Sequence, residues 1–208
     1  MKIRLSVVLA VYNEEDYLKS CLDSVKNLAW EIIIVDGGSS DDTVEIARQF
    51  GARVIQSNNI PNFHINKNKS IDAAKGDWIL QLDADEVVTE GLKNEIKRFI
   101  RSSSRIKGYW IPRKNFFLGK FLSKGGQYPD YTLRLYKNGY GRLPARDVHE
   151  QAVVRGETGY LENDLLHLRD KTFTIYMDRF NRYTEILAGQ IANPNFIDYI
   201  FVKPILWF

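Results

Sequence analysis

Three near-continuous apolar runs, over residues 3–11, 31–35 and 77–82, each break off into a cluster of polar residues. Between them, apolar residues fall at helical spacing, as with Tyr17, Leu18, Cys21, Leu22 and Val25 within 14–27. Strands without polar alternation are buried on both faces, and strands alternating with helices build a parallel sheet covered on both sides. The same reasoning predicts helices over 43–50, 65–74 and 89–100 and a short strand over 53–56. After residue 105 the pattern changes. Short strands are expected over 106–113, 115–118, 132–136 and 151–154, followed by a helix over 172–188. The stripe of Phe173, Tyr176, Met177, Phe180 and Leu187 on that helix reads as core packing.

A length of 208 residues suits a single domain over 1–190, with an appendage over 191–208. The balance of 29 basic and 26 acidic residues leaves a net charge of +3, too small an excess to argue for nucleic acid. One cysteine, Cys21, excludes an intrachain disulfide and a cysteine-cluster metal site. The apolar N-terminal run is short and leads straight into Tyr12-Asn13-Glu14, so it reads as a buried strand and not as a signal peptide. No stretch reaches the roughly 18 apolar residues of a bilayer span. The segment 196–208, FIDYIFVKPILWF, carries only Asp198 and Lys203 as charges. Two readings stay open for it: a last helix packed on the core, or a membrane-surface segment with interfacial aromatics.

In an open parallel sheet, ligands bind beyond the C-terminal ends of the strands. The polar clusters there are Tyr12-Asn13-Glu14, Asp36-Gly37-Gly38-Ser39 and Asp83-Ala84-Asp85-Glu86, and the topology gathers them on one edge. Two carboxylates one residue apart repel unless a cation sits near them. Hard divalent ions such as Mg²⁺ or Mn²⁺ take oxygen ligands and keep positions for phosphate oxygens. Asp36 ends an apolar strand, where its carboxylate can accept from a nucleobase or a ribose. The glycine pair after it is not GxGxxG, and no P-loop is present, which counts against nicotinamide redox chemistry and ATP hydrolysis.

These segments, VVLAVYNEEDYLKSCLDSV, IIIVDGGSSDDTVEIA and NKNKSIDAAKGDWILQLDADE, resemble the inverting family 2 glycosyltransferases over residues 3 to about 100. The second half, with GGQYPDYTLRLY and ARDVHE, is similar to glucosyltransferases of lipopolysaccharide core biosynthesis. The resemblance implies an α/β fold of the GT-A (nucleotide-diphospho-sugar transferase) type. Its central sheet would be mostly parallel with helices on both faces, and its C-terminal half mixed. It also implies a nucleotide-sugar half over about 1–104 and an acceptor half over about 105–190. Val11, Tyr12 and Glu14 would line the base and ribose pocket, and Asp36 would bind the base edge. Lys67 and Asn68 stand where the family often has Arg-Asn, so Lys67 would meet base or diphosphate. Asp83 would hold the ribose or the metal, and Asp85 would ligate the Mg²⁺ or Mn²⁺ that grips the diphosphate.

The activity implied is metal-dependent, inverting transfer from a nucleotide-diphosphate sugar, UDP-linked, to a hydroxyl of a glycolipid or cell-envelope oligosaccharide. Because nucleotide sugars are cytosolic, no export signal is visible and 196–208 is apolar, the protein is expected at the cytoplasmic face of the inner membrane. The attacking hydroxyl needs a carboxylate base. The family's Glu-Asp pair is replaced here by Pro129-Asp130, which makes Asp130 the expected base and Glu150 the second choice. His149, beside Glu150, is either structural or a metal or diphosphate contact. Arg134, Arg142 and Arg146 form either a phosphate-binding set or a solvated basic face. His167, in LLHLRD, reads as core or loop. Two other functions are open: a non-catalytic sugar-nucleotide-binding module, supported by the incomplete Glu-Asp motif, and a sugar-phosphate nucleotidyltransferase. The acidic Tyr12-Asn13-Glu14-Glu15-Asp16 loop argues against the latter.

Overall fold

The computed structural model describes residues 3–60, 62–102, 104–145 and 151–190. Arg146, His149, Glu150 and the segment 191–208, all singled out above, lie outside the described residues. The first half alternates β1 (Leu5–Val11), α1 (Glu15–Val25), β2 (Glu31–Asp36), α2 (Thr43–Gln49), β3 (Arg53–Gln56), α3 (Phe63–Asp72), β4 (Trp78–Gln81), β5 (Glu86–Val88) and α4 (Glu90–Ile100). The second half adds β6 (Gly108–Phe117), β7 (Lys120–Phe121), β8 (Asp130–Lys137), β9 (Gly141–Arg142), β10 (Val153–Val154), β11 (Thr158–Tyr160), β12 (Leu165–Asp170) and α5 (Phe173–Gln190).

One ten-stranded sheet carries strands of both halves, in the order β3-β2-β1-β4-β8-β6-β12-β5, with β7 and β11 also paired to β6. Strands β1 to β4 are mutually parallel where they pair, and β8 enters antiparallel between β4 and β6. The apolar run of β1 follows from burial on both sides. Leu5, Val7, Leu9 and Val11 face one core cluster with Leu18, Leu22, Leu92 and Ile96, whereas Val8 faces a second with Ile33, Ile71 and Ile79. Thus α1 and α4 cover one face and α3 covers the other. Two helices carry side-chain caps: Thr89 Oγ1 accepts from Leu92 N at α4, and Asn62 Oδ1 accepts from His64 N at α3.

The second half departs from expectation in four places. The strands expected over 106–113 and 115–118 are one strand, β6. Pro112 is tolerated within it because it falls between the residues paired to β11 and those paired to β12. The strand expected over 151–154 is reduced to Val153–Val154. His167, expected in core or loop, lies partly buried on a strand, β12, whose first residue Leu165 is in the core. Two residues of the stripe on the last helix are not core: Phe173 is 62% exposed and Phe180 51%, while Tyr176 packs edge-on against Phe117 at 5.1 Å. Helical periodicity gave α5 an apolar face, but no described element covers it fully.

Candidate active site

The strand ends of β1, β2 and β4 converge as expected. Asp36, 1% exposed, uses both oxygens to build the turn after β2. Its Oδ2 accepts from Gly38 N (3.0 Å) and Ser39 N (3.1 Å), and its Oδ1 from Ser39 Oγ (2.5 Å). Gly38, at φ +88°, adopts a conformation that favours glycine. The turn is stitched to the end of β1, where Asn13 N donates to Ser39 Oγ (2.9 Å) and Asn13 Oδ1 accepts from Ser40 N (2.8 Å). Tyr12 stands over this turn, 38% exposed, with its Cβ against Gly37. The Val11 side chain lies in the core, and its carbonyl accepts from Gly37 N. The Asn68 amide clips both polar groups of Leu143, donating to its carbonyl (2.9 Å) and accepting from its N–H (3.2 Å).

The acids after β4 meet cations from four other elements. Lys67 of α3 pairs with Asp83 Oδ1, and Arg134 of β8 donates to Asp83 Oδ2 (2.5 Å). Arg134 also donates to Glu86 Oε1 (2.8 Å), a carboxylate with no exposure at all. A β-bulge sets this aim. Leu133 opposes Trp110 and Leu135 opposes Tyr109, so Arg134 is the extra residue and turns toward the acids. Burial alone would raise the Asp83 carboxyl; Arg134 and Lys67 outweigh it and hold the group well below the usual carboxylate range.

Asp85, 4% exposed, faces β12. Its Oδ2 lies 3.2 Å from both His167 Nε2 and Arg169 Nη1, whereas its buried Oδ1 has no hydrogen-bond partner among the described residues. Against the upward push of burial, His167 and Arg169 keep Asp85 below its ordinary value. Arg169 reaches on to Glu14, with Nη1 at 2.8 and 2.9 Å from its two oxygens, and its carbonyl accepts from Tyr17 OH. Asp130, at the start of β8, accepts at Oδ2 from Arg113 Nε (2.9 Å), Arg113 Nη2 (2.7 Å) and Asn115 Nδ2 (3.0 Å). Burial raises its carboxyl, but Asn115 and Arg113 together pull it below the ordinary value and keep it ionised.

Burial pushes Glu14 up from 4.5 to about 7; Arg169 opposes the rise without cancelling it, and Asp85 and Asp83 add to it. A carboxyl whose pKa is raised on folding gives stability that is complete below its unfolded value and is lost as pH rises through the folded one. Between pH 4.5 and about 7 the protein should therefore lose on the order of 2–3 kcal/mol through this group. Denaturant unfolding of Glu14→Gln should show that slope flattened, and an unchanged slope would place the titration elsewhere.

Asp85 and His167 fit a divalent ion. One buried carboxylate oxygen lacks a partner among the described residues, and an imidazole nitrogen stands beside the same side chain. Among the described residues no three His, Cys, Asp or Glu side chains enclose an ion. Mg²⁺ and Mn²⁺ at phosphate sites take oxygen ligands and keep positions for the phosphate oxygens. Asp83 differs from Asp85 in that both its oxygens are engaged by cations.

Sequence reasoning missed Arg113, Asn115, His167 and Arg169 as site residues. A signal was present: Arg113 with Asn115 and His167 with Arg169 each keep polar residues two apart, on one face of a strand.

A mostly parallel sheet with helices on both faces, a mixed second half and acids gathered beyond the strand ends define a protein of the GT-A class. The glycosyl transferase family 2 model matches residues 6–140, and the chain belongs to that family; it is a glycosyltransferase. It is 28% identical over 214 residues to the lipopolysaccharide core biosynthesis glycosyltransferase LpsC of Rhizobium meliloti, covering 98% of this chain and 79% of that one. Among solved structures it resembles S. aureus TarS 1-349 in complex with UDP, with a TM-score of 0.61 and 17% identity over 93% of this chain and 67% of that one. It also resembles the mannosyltransferase PcManGT of Pyrobaculum calidifontis in complex with GDP-Man and Mn²⁺, with a TM-score of 0.57 and 14% identity over 94% of this chain and 66% of that one.

Proposed function

We propose that the chain transfers a sugar, with inversion and with a divalent ion, from a UDP-linked donor to a hydroxyl of a cell-envelope glycolipid such as lipopolysaccharide core. The observation that carries this reading is the paired-acid end of β4, where Asp85 keeps a buried oxygen unpartnered among the described residues, beside His167. The likeness to LpsC supports the acceptor class. The UDP held by TarS supports the donor, and the Mn²⁺ held by PcManGT supports the metal.

Asp85 and His167 would hold Mg²⁺ or Mn²⁺, with His149 as a further candidate ligand. Bound there, the ion would stabilise the charge that grows on the departing diphosphate. Tyr12 stacks on the base, and Asp36 shapes the turn that receives its edge, together with Val11 and Glu14. Lys67 and Arg134, which neutralise Asp83, would lend their charge to the incoming phosphates; Asn68 holds Leu143 in place. Asp130 stands across the sheet edge as an ionised carboxylate able to take the proton of the acceptor hydroxyl, with Glu150 as the alternative. Its partners Arg113 and Asn115 keep it ready to accept, at the cost of basicity.

A screen of UDP-sugars with purified protein, scored by UDP release with Mn²⁺ or Mg²⁺ and again after chelation, tests this directly. Release should occur with one sugar preferred and should vanish with chelator. Release insensitive to chelation removes the ion, and release from no donor removes the transferase reading.

We place the protein at the cytoplasmic membrane surface on two features: the composition of 196–208 and the exposed Phe173, Ile175 and Phe180 of α5. No helix among the described residues is long and apolar enough to cross a membrane. Deleting 196–208 should move the protein from the membrane to the soluble fraction on cell lysis; an unchanged distribution refutes the anchoring role of that segment.

A further inference from the structure

The two sides of the site are joined by one side chain. Strand β6 pairs with β8 along one edge and with β12 along the other, in registers that set Arg113 opposite Asp130 and Asn115 opposite His167. From that position Asn115 Nδ2 donates to Asp130 Oδ2 at 3.0 Å, and Asn115 Oδ1 lies 2.9 Å from His167 Nδ1.

The chemistry of these groups orders the hydrogens. Asp130 is ionised beside Arg113, and a carboxylate only accepts, so the amide must turn its NH₂ toward it. The amide oxygen is then fixed toward the imidazole. A carbonyl also only accepts, so His167 Nδ1 must carry the hydrogen. The other ring nitrogen, Nε2, faces Asp85 Oδ2 at 3.2 Å. Without Asn115 the neutral ring, the form that can offer a nitrogen to an ion, would satisfy Asp85 best by placing its single hydrogen on Nε2. With Asn115 in place that hydrogen is held on the far side.

We infer that Asn115 is a positioning residue for the transfer reaction, its amide oxygen fixing the His167 tautomer on the donor side and its NH₂ fixing Asp130 on the acceptor side. The roles of Asp85, His167 and Asp130 in this inference rest on the function proposed above; the hold of Asn115 on His167 does not. Ligand-bearing imidazoles are commonly oriented through their second nitrogen, and loss of such a partner typically costs about 10–100-fold in metal affinity or activity.

Two substitutions separate the two arms. Asn115→Leu removes both hydrogen bonds at similar volume. Asn115→Asp keeps an acceptor for His167 Nδ1–H but sets a carboxylate against Asp130. The full chain has three histidines, so ¹H–¹⁵N side-chain spectra at pH 8.5 are assigned by comparison with His167→Gln. The wild type and Asn115→Asp should show His167 protonated at Nδ1, whereas Asn115→Leu should show the hydrogen moved to Nε2. In calorimetry, Asn115→Leu should weaken Mn²⁺-supported UDP binding about 10–100-fold, and Asn115→Asp should leave it near wild type. In turnover, Asn115→Asp should lower kcat for transfer about 10–100-fold while hydrolysis of the donor by water continues.

A wild-type His167 bare at Nδ1, or identical His167 spectra in the wild type and Asn115→Leu, overturns the inference. So does an Asn115→Asp variant that transfers at the wild-type rate. If no donor is turned over by any form, the proposed function fails, and the tautomer spectra still decide whether Asn115 holds His167.

Discussion

Arg134→Met should destabilise the protein by about 3–5 kcal/mol, the usual cost of removing one partner from a buried ion pair. The Arg134 side chain is 9% exposed, and its Nη2 serves two carboxylates at once. Without it, Glu86 keeps the Asp83 N–H and a distant Arg113 guanidinium at 3.8 Å, and Asp83 keeps Lys67. Methionine fills much of the volume, so the loss is electrostatic and not a cavity. For a chain of this size the expected fall in Tm is on the order of 10 °C. Arg134→Lys should recover part of it, because an ammonium replaces the charge but not the reach and planar geometry of the guanidinium. A scanning-calorimetry Tm for Arg134→Met within about 2 °C of wild type would mean that Lys67 and Arg113 carry the acids unaided.

The second large effect falls on activity. Asp85→Asn keeps the size of the side chain and removes its charge, and Arg169 retains Glu14 as a partner. Transfer should fall on the order of 10³-fold or more, since stabilising the charge on a leaving group supplies much of the rate enhancement in such reactions. The change in Tm should be small beside that of Arg134→Met. Mn²⁺ should also lose its effect on UDP binding. Transfer at wild-type rates by Asp85→Asn would remove Asp85 from the chemistry.

The contrast between these residues explains what could be read from the chain. Strands β1, β2 and β4 announce themselves because both faces are buried, as Leu9 and Val8 show by packing into different cores. Asp36, Asp83 and Asp85 are legible because a polar cluster at the end of such a strand has few structural uses. Arg113, Asn115, His167 and Arg169 were harder to find. Their positions depend on β6 lying between β8 and β12, and Asn115 meets His167 across 52 residues of chain. No local pattern encodes that register. In LLHLRD the leucines look like core whichever face they take, which hid the alternation of His167 and Arg169. The stripe of α5 failed differently: periodicity reveals that a helix has an apolar side but not whether anything packs on it, and Phe173 and Phe180 are open.

The most direct test is the anomalous difference density of Mn²⁺ in crystals grown with UDP and manganese. A peak bridging Asp85, His167 and the UDP phosphates, with the base beside Tyr12, is the predicted result. UDP bound away from the ends of β1 and β4, or manganese held without Asp85, would contradict it.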